Sequence, residues 1–206
     1  MILALLMVVA TPAEGSGSVI EADRALASDA QTFGYWTAFR KWAAPDATMF
    51  MPQPIKAIEF LKDKADPSRS SIWGIKRSYQ SCDGSAAVNT GPWTLDAGSQ
   101  NGYFTTIWRR GTDGWRWILD SGDSLEKSRE AFGEPVTVIA SCTRPILAPR
   151  ATKARNGDKV GDGQSDDGSL RWSWSVNGND DRRVRIQLWN GKGWDLVIDD
   201  RVSRHE

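Results

Sequence analysis

Residues 101–123 run NGYFTTIWRRGTDGWRWILDSGD. Two runs rich in β-branched and aromatic residues flank Gly111–Gly114, which predicts an antiparallel hairpin. With Arg110 facing Trp115, Trp108 opposes Trp117, Thr106 opposes Leu119 and Thr105 opposes Asp120. Opposed side chains share a face, about 5 Å apart. One face then carries Phe104, Thr106, Trp108, Trp115, Trp117 and Leu119. The other carries Tyr103, Thr105, Ile107, Ile118 and Asp120, with Arg109 and Arg116 near the turn. A one-residue bulge would overturn this assignment, because a slip of one moves side chains to the opposite face. Neither face is polar enough to be solvated, and a sheet apolar on both faces must be covered on both. The mixed face is the expected pocket wall, apolar with a few convergent polar groups.

Upstream, the period of the apolar residues is helical. Val19–Ala30 predicts a helix with Ser18 and Glu21 as a capping box. Tyr35–Trp42 predicts a second, with Tyr35, Phe39 and Trp42 on one side. Ala47–Met51 reads as a short strand and Ile55–Leu61 as helical. From Ser71 the period becomes two, giving strands at Ile72–Gln80, Ala86–Leu95, Tyr103–Arg110 and Trp115–Asp120. Helices followed by a meander imply an α+β fold with helices on one sheet face. Beyond Gly133 a β-rich extension, residues 134–206, is expected. Its strands are Pro135–Ser141, Leu170–Val176, Arg183–Trp189 and Trp194–Asp200, with a mobile loop at 148–169. VRIQLWNGKGWDLVIDD within it echoes the opening hairpin, a single echo attributable to hairpin grammar.

Lys+Arg and Asp+Glu are equal at 26 each among 206 residues, so the basic field that nucleic-acid binding needs is absent. Ile2–Val9 is too short for a bilayer, which takes roughly 20 apolar residues. With the small residues after it, the segment 1–13 is the expected signal peptide, which makes the protein exported, periplasmic or secreted. Export would let the two cysteines, Cys82 and Cys142, pair; the alternative is two separate buried thiols. His205 is the sole histidine and no CxxC occurs, so no zinc-ligand set and no cofactor are expected. Asp158, Asp162, Asp166 and Asp167 lack the spacing of an EF-hand loop.

The Glu21-Ala22-Asp23-Arg24-Ala25 helix start, Ala38-Phe39 with Ala43-Ala44-Pro45-Asp46-Ala47, SCDGSAAVNTGPW and the opening hairpin together resemble the nuclear-transport-factor-2-like superfamily, SnoaL-like type, over residues 19–123. The resemblance implies a cone of N-terminal helices on a curved antiparallel sheet, enclosing a pocket, and a homodimer paired through the outer sheet face. It leaves function open, since fold does not imply function. Where relatives often carry His near the end of the last family strand, this chain has Leu119-Asp120-Ser121.

Three functions follow. The first is binding of a small apolar or aromatic ligand without catalysis, in a pocket lined by Tyr35, Phe39, Trp42, Thr105, Ile107 and Ile118. The second is ketosteroid-isomerase-like or dehydratase-like catalysis. Asp120 would be the general acid/base, its pKa raised by Ile107 and Ile118. Tyr103 would be the hydrogen-bond donor, replaceable by Tyr35 or Tyr79, and Thr105 would orient the carboxylate. The third is a protein or carbohydrate contact through Trp172, Trp174, Trp189 and Trp194.

Overall fold

In the computed structural model, residues 17–95, 98–143 and 157–203 are described. The expected signal peptide and His205 lie outside them. Helix α1 (Val19–Phe33) starts at the capping box: Ser18 Oγ accepts from Glu21 N at 3.2 Å, and the Glu21 carboxylate accepts from Ser18 N at 2.7 Å. Gly34, at φ +111°, then turns the chain into α2 (Tyr35–Trp42). Gly34 offers α2 no side-chain cap, and Asp66 supplies one from elsewhere. Its carboxylate accepts from Thr37 N at 2.9 Å and from Thr37 Oγ1 at 2.6 Å.

The strands that follow are β1 (Ala43–Phe50), β2 (Pro54–Lys56), β3 (Ile72–Trp73), β4 (Arg77–Gln80), β5 (Ala86–Leu95), β6 (Gln100–Gly111), β7 (Gly114–Leu125) and β8 (Val136–Ile139), with a short α3 (Ala57–Leu61) after β2. They form one sheet in the order β2-β1-β7-β6-β5-β4-β8, with β3 beside β5. The β4–β7 meander is antiparallel, as expected. Its flanks are not: β1 runs parallel to β7, and β8 parallel to β4. β8 lies past residue 134, so the segment assigned to the extension supplies an edge strand of the first sheet. The disulfide Cys82–Cys142, with Cα atoms 5.2 Å apart, fastens it there.

The hairpin register departs from the expected one at a single residue. Arg110 pairs with Trp115 and Trp108 with Trp117, but the next pair is Ile107 with Leu119. Ile118 is the extra residue of a β-bulge. Past it, Thr106 faces Asp120 and Thr105 faces Ser121. Asp120 therefore lands on the aromatic face beneath the helices, and Tyr103, Thr105 and Ile107 stay on the other. On the helix side Trp117 Nε1 donates to the Phe39 carbonyl at 2.9 Å and Trp115 Nε1 to the Gly17 carbonyl at 3.1 Å. Each indole thus buries its apolar surface with its one donor satisfied.

The second sheet is β12-β11-β10-β9, built from β9 (Lys159–Gln164), β10 (Leu170–Val176), β11 (Arg182–Trp189) and β12 (Trp194–Val202). The expected loop at 148–169 is corrected here. Residues 144–156 lie outside the described chain, and Lys159–Gln164 is a strand paired to β10. Its glycines hid it. Gly161 and Gly163 lie under the indoles of Trp174 and Trp172, where a Cβ would collide, and glycine inside a strand marks this kind of close approach.

The hairpin echo extends to whole units. β4–β7 and β9–β12 share one strand order, and the turn before the second strand of each reads S-x-D-G-S, at 81–85 and 165–169. The two turns clasp each other reciprocally. Asp83 N donates to Asp167 Oδ2 at 3.0 Å and Asp167 N to Asp83 Oδ2 at 2.9 Å. Cys82 N donates to Ser169 Oγ at 2.8 Å and Asp166 N to Ser85 Oγ at 2.9 Å. Gly84 and Gly168 adopt matching φ values of +68° and +70°. Asp83→Ala and Asp167→Ala should each cost about 1–2 kcal/mol in urea unfolding. The double variant should cost less than their sum, because each carboxylate serves the other's turn. Strict additivity would show the clasp to be energetically idle.

The second sheet packs on the face of the first that is opposite the helices. Thr105 Oγ1 donates to Asp200 Oδ2 at 2.7 Å, Arg129 Nη1 pairs with Asp200 Oδ1 at 2.8 Å, and Phe50 meets Trp174 with ring centroids 5.4 Å apart. At the outer sheet face, where a homodimer was expected to pair, this chain's own extension covers Tyr103, Thr105 and Ile107. The Trp-rich strands offer no bare aromatic platform either. Trp172 and Trp174 pack against the core, Trp189 is buried with Nε1 donating to the Thr143 carbonyl at 2.7 Å, and Trp194 meets Trp189 and lies under the Arg171 guanidinium.

Candidate functional site

A cavity of about 280 Å3 lies between the helices and the first sheet. Tyr35, Trp36 and Phe39 of α2, Met49 of β1, and Trp73 and Phe104 give it apolar walls; Thr106 and Asp120 give it a polar spot. The cross-strand row explains the spot. Asn89 of β5 pairs with Thr106 of β6, Thr106 with Asp120 of β7, and Asp120 with Met49 of β1. One polar rung thus crosses an otherwise apolar face and ends at the cavity. Thr106 Oγ1 donates to Asp120 Oδ1 at 2.8 Å.

Burial pushes the Asp120 carboxyl up to about 7. The Thr106 hydrogen bond and the charge of Arg182 pull the other way, and the charge of Asp23 adds to the rise. Asp23, on α1, is buried at the far end of the rung. It accepts from Asn89 Nδ2 at 2.9 Å and Trp73 Nε1 at 3.0 Å, and burial raises it to about 6. Two interacting carboxyl groups with different environments share this rung. Asp23 has its bonds filled by protein; Asp120 faces the cavity. Tyr35 lines the same space, and burial together with the Asp120 charge raises its phenol, which keeps it a proton-bearing donor. Arg109 and Arg116, the cations near the hairpin turn, go elsewhere: Arg109 forms a two-pronged pair with Asp46, and Arg116 lies over the Trp42 ring.

The expected site residues thus divide. Asp120, Tyr35 and Phe39 meet at the cavity. Trp42 does not line it; the indole is core, against Trp108, with Nε1 donating to Asp29 Oδ2 at 2.8 Å. Thr105 and Ile107 face the second sheet, and Ile118 is the bulge. Tyr103 reaches the cavity edge, but its ring lies under the Arg129 guanidinium at 3.5 Å, between the sheets. Thr106, not Thr105, orients the carboxylate. The residues missed from sequence are Thr106, Asn89, Asp23 and Arg182. Thr106 and Asn89 share one cross-strand row with Asp120 once the bulge is placed, which is the signal that could have found them; Asp23 comes from helix α1 and Arg182 from the second sheet.

Among the described residues no group of three or more His, Cys, Asp or Glu is arranged to hold a metal, and no helix is long and apolar enough to cross a membrane. No protein-family model matches the chain, and no curated protein matches it. Solved structures do. A candidate ketosteroid isomerase from Parabacteroides distasonis is 17% identical over 53% of this chain and 89% of its own, with a TM-score of 0.44. A nuclear-transport-factor-2-like protein of unknown function from Shewanella oneidensis is 17% identical over 50% of this chain and 94% of its own, at 0.42. A candidate ketosteroid isomerase from Kribbella flavida is 17% identical over 56% of this chain and 87% of its own, at 0.33. Each of these likenesses covers about half of this chain.

Proposed function

We propose that the cavity carries out proton transfer on a small apolar β,γ-unsaturated carbonyl compound, with Asp120 as the shuttling acid/base, in an exported protein of the nuclear-transport-factor-2-like kind. The observation that carries this reading is the Asp120 carboxyl group, balanced near neutrality and set against the aromatic walls of the cavity. As carboxylate, Asp120 takes a proton from the carbon beside the substrate carbonyl, and the C–H electron pair moves into an enolate. Tyr35 donates a hydrogen bond to the developing oxyanion. The Asp120 acid then returns its proton to the enolate at the more distant carbon, which shifts the double bond and restores the carboxylate.

A pKa near the working pH suits both halves of this cycle. The rate should climb as pH rises through about 7, where the carboxylate forms. The test is the conjugation of cyclohex-3-en-1-one, followed by ultraviolet absorbance. Wild type should accelerate it, and Asp120→Asn should lose about 10²–10⁴-fold. A ketone that binds and is not turned over would leave simple ligand binding as the function of the same cavity.

A further inference from the structure

The first sheet and the helices leave the cavity without a cation, and the second sheet brings one. Arg182 opens β11 and sits in the cavity wall, only 5% exposed. Its position is fixed from three sides. Nη2 donates to the Gly122 carbonyl at 2.5 Å, the guanidinium lies 4.9 Å from the Phe50 ring, and the preceding turn docks on the first sheet through Gln53 Nε2, which donates to Asp180 Oδ1 at 2.5 Å. An arginine stays charged in any protein environment, and a buried guanidinium favours planar oxyanions that it can grip with two N–H groups. Asp123 also reaches the cavity rim, but its Oδ1 accepts from Ser124 N at 2.9 Å.

We infer that the cavity selects an aromatic carboxylic acid: the carboxylate lies against Arg182, the ring system fills the space walled by Phe39, Trp73 and Phe104, and a neutral carbonyl or hydroxyl meets Asp120. Polarity decides the orientation. An anion placed at Asp120 would face a carboxyl group that ionises near neutrality, whereas an anion at Arg182 is attracted. The inference rests on the cavity being the ligand site, as proposed above, and it makes the C-terminal sheet a part of that site.

The test uses the full chain and a matched pair of probes, 2-naphthoate and its neutral isostere 2-naphthamide. Binding is read by calorimetry and by quenching of the tryptophans that line the cavity. Wild type should bind the acid at least about tenfold more tightly than the amide. Arg182→Gln should weaken the acid about 10–100-fold, the range of a charge-assisted pair, and leave the amide within about threefold. Arg182→Lys should keep most of the preference for the acid. Equal affinity of wild type for both probes, or an equal loss of both in Arg182→Gln, overturns the inference and leaves the cavity as a ligand site. Binding of neither probe by wild type overturns the cavity reading and the inference with it.

Discussion

Asp120→Asn is expected to be more stable than the wild-type protein at pH 8, by about 2–4 kcal/mol, and equal to it near pH 4. The sign follows from the raised pKa. In the folded protein the carboxyl holds its proton up to about 7, against 3.8 when unperturbed. Between those values the folded state binds a proton that the unfolded state has released, so wild-type stability falls as pH rises through this window. Above it the full penalty of an ionised carboxylate in an apolar cavity is present. About three pH units correspond to roughly 4 kcal/mol, and water in the cavity lowers this. Asparagine keeps an oxygen for the Thr106 hydroxyl and carries no charge to desolvate. Asp23 titrates with the same sign in both proteins and largely cancels in the difference. Urea midpoints at pH 4, 6 and 8 measure it. A stability difference that does not change with pH, or an Asn variant weaker at pH 8, would show that Asp120 is solvated and would remove the basis for its role as acid/base. The same substitution is expected to slow the proposed turnover by about 10²–10⁴-fold, so stability and activity should move in opposite directions at one residue, as expected where a site retains a strained charge.

Much of the fold was legible because its cues are local. The capping box at Ser18, the change of period near Ser71, and the Gly-containing turns fixed element type within a few residues for α1, α2, β5 and β10–β12. The errors sit where the deciding interaction is distant. Nothing near residue 118 announces a bulge. Ile118 is an ordinary strand residue, and the slip it causes moves Asp120 from the company of Tyr103 to that of Thr106. Asp120 was singled out as the candidate acid/base from its place in the hairpin, and its partners were lost through one register step. The β9 strand was hidden by Gly161 and Gly163, whose reason for being glycine is a pair of indoles on β10. The outer face was expected to be covered by the C-terminal strands or by a second subunit, and the second sheet from the other half of the chain covers it. Arg182 illustrates the same limit. In sequence it belongs to a surface-like Asp-Asp-Arg-Arg run, and only the docking of the two sheets carries it to the cavity wall.

Removing the Cys82–Cys142 bond should cost about 4 kcal/mol, since it closes a loop of 60 residues whose freedom in the unfolded chain it restricts. For a chain of this size that corresponds to a fall in Tm of about 8–16 °C. The bond sits where several dependencies meet. Cys82 belongs to the turn that clasps Asp167, so its backbone is held to the second sheet. Cys142 follows β8, and beside it Ala140 N donates to the Gln80 carbonyl at 2.9 Å while Ser141 N donates to the Trp189 carbonyl at 2.8 Å. The segment around Cys142 thus stitches both sheets together, and the disulfide holds it in place. In the Cys82→Ala/Cys142→Ala variant, hydrogen exchange should quicken first at Val136–Ile139 and at the clasp turns. α1 and β7, which bury Leu26 and Trp117, should open only with global unfolding. Unchanged Tm within about 2 °C, or exchange that quickens uniformly, would mean that the two sheets hold together without the bond. The cost also bears on location. A structural disulfide forms and persists in oxidising compartments, so chain made in a reducing cytoplasm should accumulate in the less stable dithiol form, and exported chain in the bonded one. Thiol labelling of the two fractions reads this directly, and equal labelling would count against export.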